Sequence, residues 1–349
     1  MAPQTQKALL VTEIGAPLTL TTTRPVPQPG PSQVLVRVTV AGPNPHDQKA
    51  RDMGLFIAGK LPAVLTNDVV GEIIARGDEV TKFSIGDHIV GQANAAPGWT
   101  QNGFQEYAIL DADFCAKIPA GFTDDDGATL PTNTIAPLVA IFDSLDIPAP
   151  WTSAASGFNY SGTTLLVMGG GSNCGRFGVQ IAALAGIGRI IVVGGNESEL
   201  KSLGATTVLS RHGSPEEVLS RIRDVVGDEL LYVYDAINPL PTQTIGINAL
   251  SSTKRGKFAR LLPMGPVDES QIKPKTAGYD LIDVMGMSHW KPELAKEFWD
   301  RVPGFLTDGK IMPGAYTVVK GLDVDKANQV LDHYRDGKKV VKTHFHVAE

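Results

Sequence analysis

At 349 residues the chain exceeds what one hydrophobic core usually serves, so two domains are expected; 42% hydrophobic and 19% charged residues exclude a disordered chain. A net charge of −6 without a basic stripe excludes a nucleic-acid surface, and no apolar run is long enough for a membrane span. Two cysteines, Cys115 and Cys174, exclude a disulfide scaffold and a four-cysteine zinc lobe, and the stretch to Val11 has no signal-peptide core, which makes the cytoplasm the expected address.

The first third reads as β-rich. Short alternating runs at Gln33 to Val40, Asp68 to Ala75, His88 to Gly91 and Phe104 to Leu110 are separated by Pro and Gly signals, which suggests a compact barrel-like domain. From Asp124 the pattern changes to a longer apolar segment, Gly127 to Leu145, read as helix interrupted near Pro131 and Pro137. A connection rich in Pro, Ser and Gly, Pro148 to Thr163, then precedes an alternation of strand and helix. The strands are Leu165 to Met168, Ile190 to Val193, Thr207 to Leu209, Leu230 to Tyr234, Phe258 to Leu262 and Leu281 to Val284, the pattern of a doubly wound parallel sheet. Beyond Met287 come a helix from Pro292 to Leu306, a strand from Tyr316 to Lys320, a helix from Val324 to Arg335 and a closing strand near Val340. This tail cannot extend the parallel sheet in order, so it is assigned to the first domain. The expected division is 1–136 with 288–349, and 137–287 as an inserted dinucleotide-binding domain.

The most informative stretch runs from Thr164 through the glycine turn Gly169, Gly170, Gly171, Ser172, Asn173, Cys174 and Gly175 into the helical run Arg176 to Ala185. A β-prone segment that enters a glycine cluster and leaves as a helix gathers backbone N–H groups where a pyrophosphate can lie. Neither G-x-G-x-x-G frame is complete: one ends on Cys174, and the other has Ser172 in the middle. The second strand ends on Gly194, Gly195 and Asn196, with none of the acids that bind the ribose 2′-OH of NAD. NADPH is therefore the expected cofactor and NADH the less favoured one. Glu197 argues the other way, and Arg211 reads either as the cation for a 2′-phosphate or as a solvated surface residue.

Asn44-Pro45-His46-Asp47, Asn67-Asp68-Val69-Val70-Gly71-Glu72, Phe83-Ser84-Ile85-Gly86-Asp87, Gly103-Phe104-Gln105-Glu106-Tyr107, the glycine turn, Tyr234-Asp235-Ala236 and Gly337-Lys338-Lys339-Val340-Val341 together resemble the medium-chain dehydrogenase/reductase superfamily. The resemblance covers essentially the whole chain. Gly169-Gly170-Gly171-Ser172, Ala149-Pro150-Trp151 and Leu203-Gly204-Ala205 are similar to a fungal zinc-binding-alcohol-dehydrogenase-like branch that includes trans-acting enoyl reductases of polyketide pathways. It implies a GroES-like β-barrel catalytic domain beside a Rossmann cofactor domain, with Asp235, Met264 and Met287 joining the glycine turn, Gly194, Gly195, Asn196 and Arg211 around the nucleotide.

Zinc-dependent relatives place a Cys where Asn44 stands, a His where Asn67 stands and a further Cys near Asn133. Amides are poor zinc ligands, so no metal is expected; His46 and Asp68 alone do not make a zinc site. Reduction of an already polarised C=C bond needs no such Lewis acid, whereas alcohol oxidation loses its usual route to an alkoxide. The resemblance therefore implies hydride transfer to an α,β-unsaturated carbonyl, enoyl thioester or quinone. A carbonyl reductase or alcohol dehydrogenase of the same fold and a nucleotide-binding protein without turnover are the alternatives. Asn44 and His46 are the catalytic candidates, each with a loop-capping or solvated reading beside it. Met53, Phe56, Trp99, Asn133 and His289 are the substrate candidates, each equally readable as local packing. The partner expected is a small molecule or a carrier-bound acyl chain, acted on by a monomer or a homodimer joined through Leu281 to Val284.

Overall fold

A computed structural model describes residues 2–237, 243–261 and 265–348. It divides into one unit of Met1–Thr132, Ala295–Thr307 and Pro313–Glu349 and another of Asn133–Leu294 and Asp308–Met312. The division falls four residues before the expected 136/137 boundary, because Thr132 bonds to Asp68 of the first unit while Asn133 sits beside Cys174 of the second. Among the described residues no helix is long and apolar enough to cross a membrane.

In chain order the first unit opens with β1 (Thr5–Leu10), β2 (Thr19–Pro25), β3 (Gln33–Gly42), α1 (Pro45–Met53), β4 (Asp68–Arg76), β5 (His88–Gln92), β6 (Tyr107–Asp111), β7 (Cys115–Lys117) and α2 (Asp124–Ala128). Helix α3 (Pro131–Leu138, continued as a π turn to Ser144) starts in the first unit and runs into the second, which contributes β8 (Thr164–Met168), α4 (Asn173–Ala185), β9 (Arg189–Val193), α5 (Glu197–Ser202), β10 (Thr207–Leu209), α6 (Pro215–Val226), β11 (Tyr232–Asp235), α7 (Gln243–Ala249), β12 (Gly256–Leu261) and β13 (Tyr279–Val284). The chain closes with α8 (Pro292–Thr307), β14 (Tyr316–Lys320), α9 (Val324–Arg335) and β15 (Lys342–His346).

The first unit's larger sheet runs β14-β15-β3-β4-β5-β7, with β6 paired to β3 on the other side. The last two strands lie in this sheet: β15 is antiparallel to β3 through Phe345↔Ala41 and parallel to β14. Its core includes Phe345 edge-on to Phe104 at 5.1 Å, with Val36, Val38 and Ile73 also buried. Complete burial of each such side chain stabilises by about 1.5–3 kcal/mol. The run expected to be strand from Phe104 begins only at Tyr107. Gly103 turns its N–H to Thr66 O (3.0 Å), and the Gln105 amide is held by Trp99 O and Asn102 O, so neither segment is free to join the ladder.

The second unit's sheet is parallel throughout in the order β10-β9-β8-β11-β12-β13, the doubly wound arrangement that puts the switch of direction at β8 and β11. β8 and β9 are almost wholly buried, as helices on both faces require, which explains their unbroken apolar sequence. Helix α6 starts at a reciprocal cap in which Ser214 Oγ accepts from Glu217 N–H and the Glu217 carboxylate accepts from Ser214 N–H, with Pro215 at the first position. Val218, Leu219, Ile222 and Val226 then face the core at helical spacing.

Candidate functional site

The glycine turn joins β8 to α4. Gly169 has φ +83°, and the N–H groups of Gly169 and Gly170 donate to Val193 O at 3.0 and 3.2 Å, tying the turn to the end of β9. Ser172 is the N-cap of α4: its hydroxyl donates to Gly169 O at 2.9 Å and accepts from Gly175 N–H at 3.0 Å. A Cβ on Gly175 would lie 2.2 Å from Gly169 O, so the frame ending at Gly175 is the one the backbone requires. Ser172 at its middle glycine replaces bare backbone by a cap. The N–H of Asn173 lies in the first helical turn, where a backbone N–H has no intrahelical partner and can face an anion.

A second glycine pair closes on the first. Gly194 and Gly195 have φ +79° and +104°, and a Cβ on Gly171 would lie 3.2 Å from Gly195 Cα. Larger residues at either loop would fill the place where a dinucleotide's backbone must approach. Gly175→Ala is expected to lower stability by about 1–3 kcal/mol, because the clash is with backbone. It should also weaken nicotinamide-nucleotide binding, read from thermal melts with and without nucleotide; an unchanged ligand-induced shift would contradict this account.

The aliphatic stem of Arg211 packs on the same tip, with Cδ 3.0 Å from the site of a Gly194 Cβ. Arg211 is exposed and has no hydrogen bond or ion pair among the described residues. The nearby acids already have cations: Glu197 pairs with Lys201 at 2.7 Å, and Glu199 pairs with Arg176. Asn196 caps α5 through its Oδ1, which accepts from Glu199 N–H at 3.0 Å and Ser198 Oγ at 2.8 Å. Asp235, buried at the end of β11, accepts from Ile237 N–H at 3.0 Å and thereby sets Ile237 over Gly169. Cys174 Sγ lies 3.7 Å from Asn133 Oδ1, so these two candidates meet. Met287 and His289, both half-buried, lie at a single 3-10 turn, Ser288–Trp290. Met264 lies outside the described residues.

In the first unit, α1 begins at Asn44, which the helix uses as its cap. Asn44 N–H donates to Asp47 Oδ2 at 2.7 Å, and Thr66 N–H donates to Asp47 Oδ1 at 2.8 Å, so Asp47 is a scaffold carboxylate. The Asn44 amide is buried: Nδ2 donates to Gly42 O (3.3 Å) and Asp68 Oδ2 (2.8 Å), while Oδ1 accepts from Lys342 Nζ (3.0 Å). Both amide protons are thus committed, and a bond to a substrate carbonyl would have to break one. Asp68 also accepts from Thr132 N–H (2.8 Å) and Oγ1 (2.6 Å), and Lys342 Nζ forms an ion pair with its other oxygen and donates to Gly42 O (3.2 Å). Burial pushes the Asp68 carboxyl up, but the Lys342 ammonium and the bonds from Asn44 and Thr132 outweigh it and hold the group below its ordinary value. Nothing in the sequence pattern announced Lys342 as buried, since lysines on strands normally face water.

His46, two residues into α1, is half-buried and its Nε2 lies 2.8 Å from Asn67 Oδ1; Asn67 Nδ2 donates to Ala93 O at 2.7 Å. Trp99, a substrate candidate equally readable as local packing, is buried with φ +53°, and its indole N–H donates to Lys60 O at 2.7 Å. It braces the loop that follows α1, on which Phe56 (φ +66°) is exposed; Met53, the last residue of α1, is exposed beside it. Among the described residues no group of three or more His, Cys, Asp or Glu side chains is arranged to hold a metal ion.

The alcohol dehydrogenase GroES-like domain matches residues 30–120. The trans-enoyl reductase opdC of Penicillium oxalicum is 30% identical over 283 residues, 78% of this chain and 75% of that protein. An alcohol dehydrogenase superfamily protein from Novosphingobium aromaticivorans superposes with TM-score 0.77 at 25% identity, covering 98% of this chain and 99% of that one. Mycobacterial Rv1454c, solved complexed with NADPH, superposes with TM-score 0.73 at 23% identity over 97% of this chain and 99% of that one. With the GroES-like match, the parallel sheet in 3-2-1-4-5-6 order and a relative of this identity and coverage, the chain belongs to the medium-chain dehydrogenase/reductase superfamily and is an oxidoreductase of that family.

Proposed function

We propose that the protein is an NADPH-dependent reductase of activated C=C bonds, acting without a metal on an α,β-unsaturated carbonyl, enoyl thioester or quinone. The observation that carries the cofactor choice is Arg211: its stem packs against Gly194, its guanidinium has no partner among the described residues, and the strand end beside it carries no acid. The turn from Gly169 to Gly175, together with Gly194, Gly195, Asn196, Asp235 and Met287, would hold the dinucleotide, which when bound supplies a hydride to the β-carbon. The complex of Rv1454c with NADPH supports this reading.

The donor set supports the substrate class. Where zinc-dependent relatives have Cys and His, this chain has Asn44 and Asn67, whose amides are occupied by Lys342, Asp68, Ala93 and His46. An alkoxide-forming Lewis acid has no ligands there, whereas protonation of an enolate at its α-carbon needs only a proton donor, for which His46 is the candidate. Asn44 serves to hold the loop that carries His46. Met53 and Phe56, exposed at and after the end of α1, suit an apolar acyl chain or ring, free or on a carrier, with Asn133 and His289 as further substrate contacts. The trans-enoyl reductase relative supports enoyl reduction; a place in fungal secondary metabolism and a cytoplasmic monomer or homodimer as the working form complete the proposal.

The test follows NADPH and NADH consumption with enones, enoyl thioesters, quinones, ketones and alcohols, with and without chelator. NADPH-dependent, chelator-insensitive formation of saturated products is expected; turnover of ketones or alcohols alone would overturn the reading. Arg211→Ala should weaken NADPH binding about tenfold to a hundredfold, the value of lost charge-assisted bonds, and leave NADH unchanged. Titration by nucleotide fluorescence checks it, and equal losses for both would remove the 2′-phosphate role.

A further inference from the structure

We infer that Asn67 is a positioning residue that locks His46 as the Nε2–H tautomer, so that the atom exchanging the catalytic proton is Nδ1. The inference rests on the proposed role of His46 as proton donor and names the atom and the partner that define it. Ala93 C=O can only accept, so the 2.7 Å bond to it fixes Asn67 with Nδ2 toward Ala93 and Oδ1 toward His46. The Asn67 backbone is held to the same residue, because Ala93 N–H donates to Asn67 O at 2.8 Å. An amide oxygen cannot donate. The 2.8 Å contact to His46 therefore requires a proton on Nε2 in the neutral and the charged ring alike.

The other nitrogen is left for chemistry. Nδ1 makes no hydrogen bond among the described residues and is not one of the buried unpartnered atoms. The carboxylate beside the ring, Asp47, lies 3.8 Å from Nε2 and already accepts two backbone N–H groups, so it does not compete for the ring proton. Hydride from a bound nicotinamide would add to the β-carbon, the C=C pair would shift to the bond between the α-carbon and the carbonyl carbon, and the C=O pair would move onto oxygen to give the enolate. The α-carbon then takes the Nδ1 proton, the C–H bond forms as N–H breaks, and the neutral ring that remains is the tautomer Asn67 stabilises. Water restores the Nδ1 proton. In this arrangement Asn67 occupies the place of a metal-binding histidine and acts on the proton donor instead.

The test is nitrogen-15 NMR of the histidine rings in the whole protein, recorded as a pH series that reaches the neutral ring. His46 is assigned by comparison with His46→Gln. A visible Nε2–H with a bare Nδ1 is expected, retained in Asn67→Asp, which still only accepts, and lost to rapid exchange in Asn67→Leu. An Nδ1–H ring in the unaltered protein, or an Nε2–H signal unchanged in Asn67→Leu, overturns the proposal. Turnover separates it from the reading beneath: His46→Gln should cut kcat at least tenfold, and an unchanged kcat would overturn the proton-donor role while the ring spectra still decide the tautomer.

Discussion

Lys342→Met should lower stability by about 3–5 kcal/mol, because it strands the Asp68 carboxylate in the interior without its cation. Lys342 and Asp68 are 1% and 0% exposed, so water cannot take over the lost interaction. The damage should also spread to Asn44, whose Oδ1 accepts from Lys342. Replacing both partners removes the stranded charge, so Asp68→Asn with Lys342→Met should recover much of the loss. Urea unfolding of the two single variants and the double variant gives the coupling directly. Additive losses would show that the two charges do not depend on one another.

Acidification should cost the protein about 3 kcal/mol through His344 alone. Its side chain is buried on β15, its Nδ1 lies 2.8 Å from Asp125 Oδ1, and its ring stacks on Tyr316 at 4.7 Å. Burial and the Lys342 ammonium push the imidazole down to about 4, against the pull of Asp125. Unfolded, the same group titrates near 6.5, so the unfolded chain binds the extra proton. Stability from this residue is therefore complete above about pH 6.5 and is lost as pH falls toward 4. In His344→Asn the amide can still donate to Asp125 but cannot titrate. Urea midpoints at neutral pH and near pH 4 should differ less for this variant than for the unaltered chain; equal differences would exclude His344 as the source.

The inner strands β8 and β9 of the parallel sheet could be read from sequence because they are buried on both faces, which leaves an unbroken apolar run such as Leu165 to Met168. Helix α9 was equally legible, its ends at Val324 and Arg335 set by a capping Asp323 and the turn at Gly337. Tyr107 marks where such reading stops. The onset of β6 depends on Gly103 being held by Thr66, 37 positions away, a partner that no local pattern contains. For Trp99 the sequence leaves substrate contact and local packing open, and its bond to Lys60 O, 39 positions away, decides that it braces the loop after α1.

By itself the sequence determined the chemistry available: a glycine turn between strand and helix, a strand end without an acid, and amides where zinc-dependent relatives carry ligands. These are properties of residue type and short spacing, and they survive without coordinates. Tertiary structure decided which glycine frame the backbone needs, since only proximity puts Gly169 O where a Gly175 Cβ would be. It also decided the fate of the polar residues. Asp68 and Lys342 are 274 positions apart in the chain, and His46 and Asn67 are 21 apart. Whether such groups are buried together or solvated depends on which strands pair, and the free energy of burying a charge or fixing a proton is set by that long-range meeting rather than by either residue's neighbours in sequence.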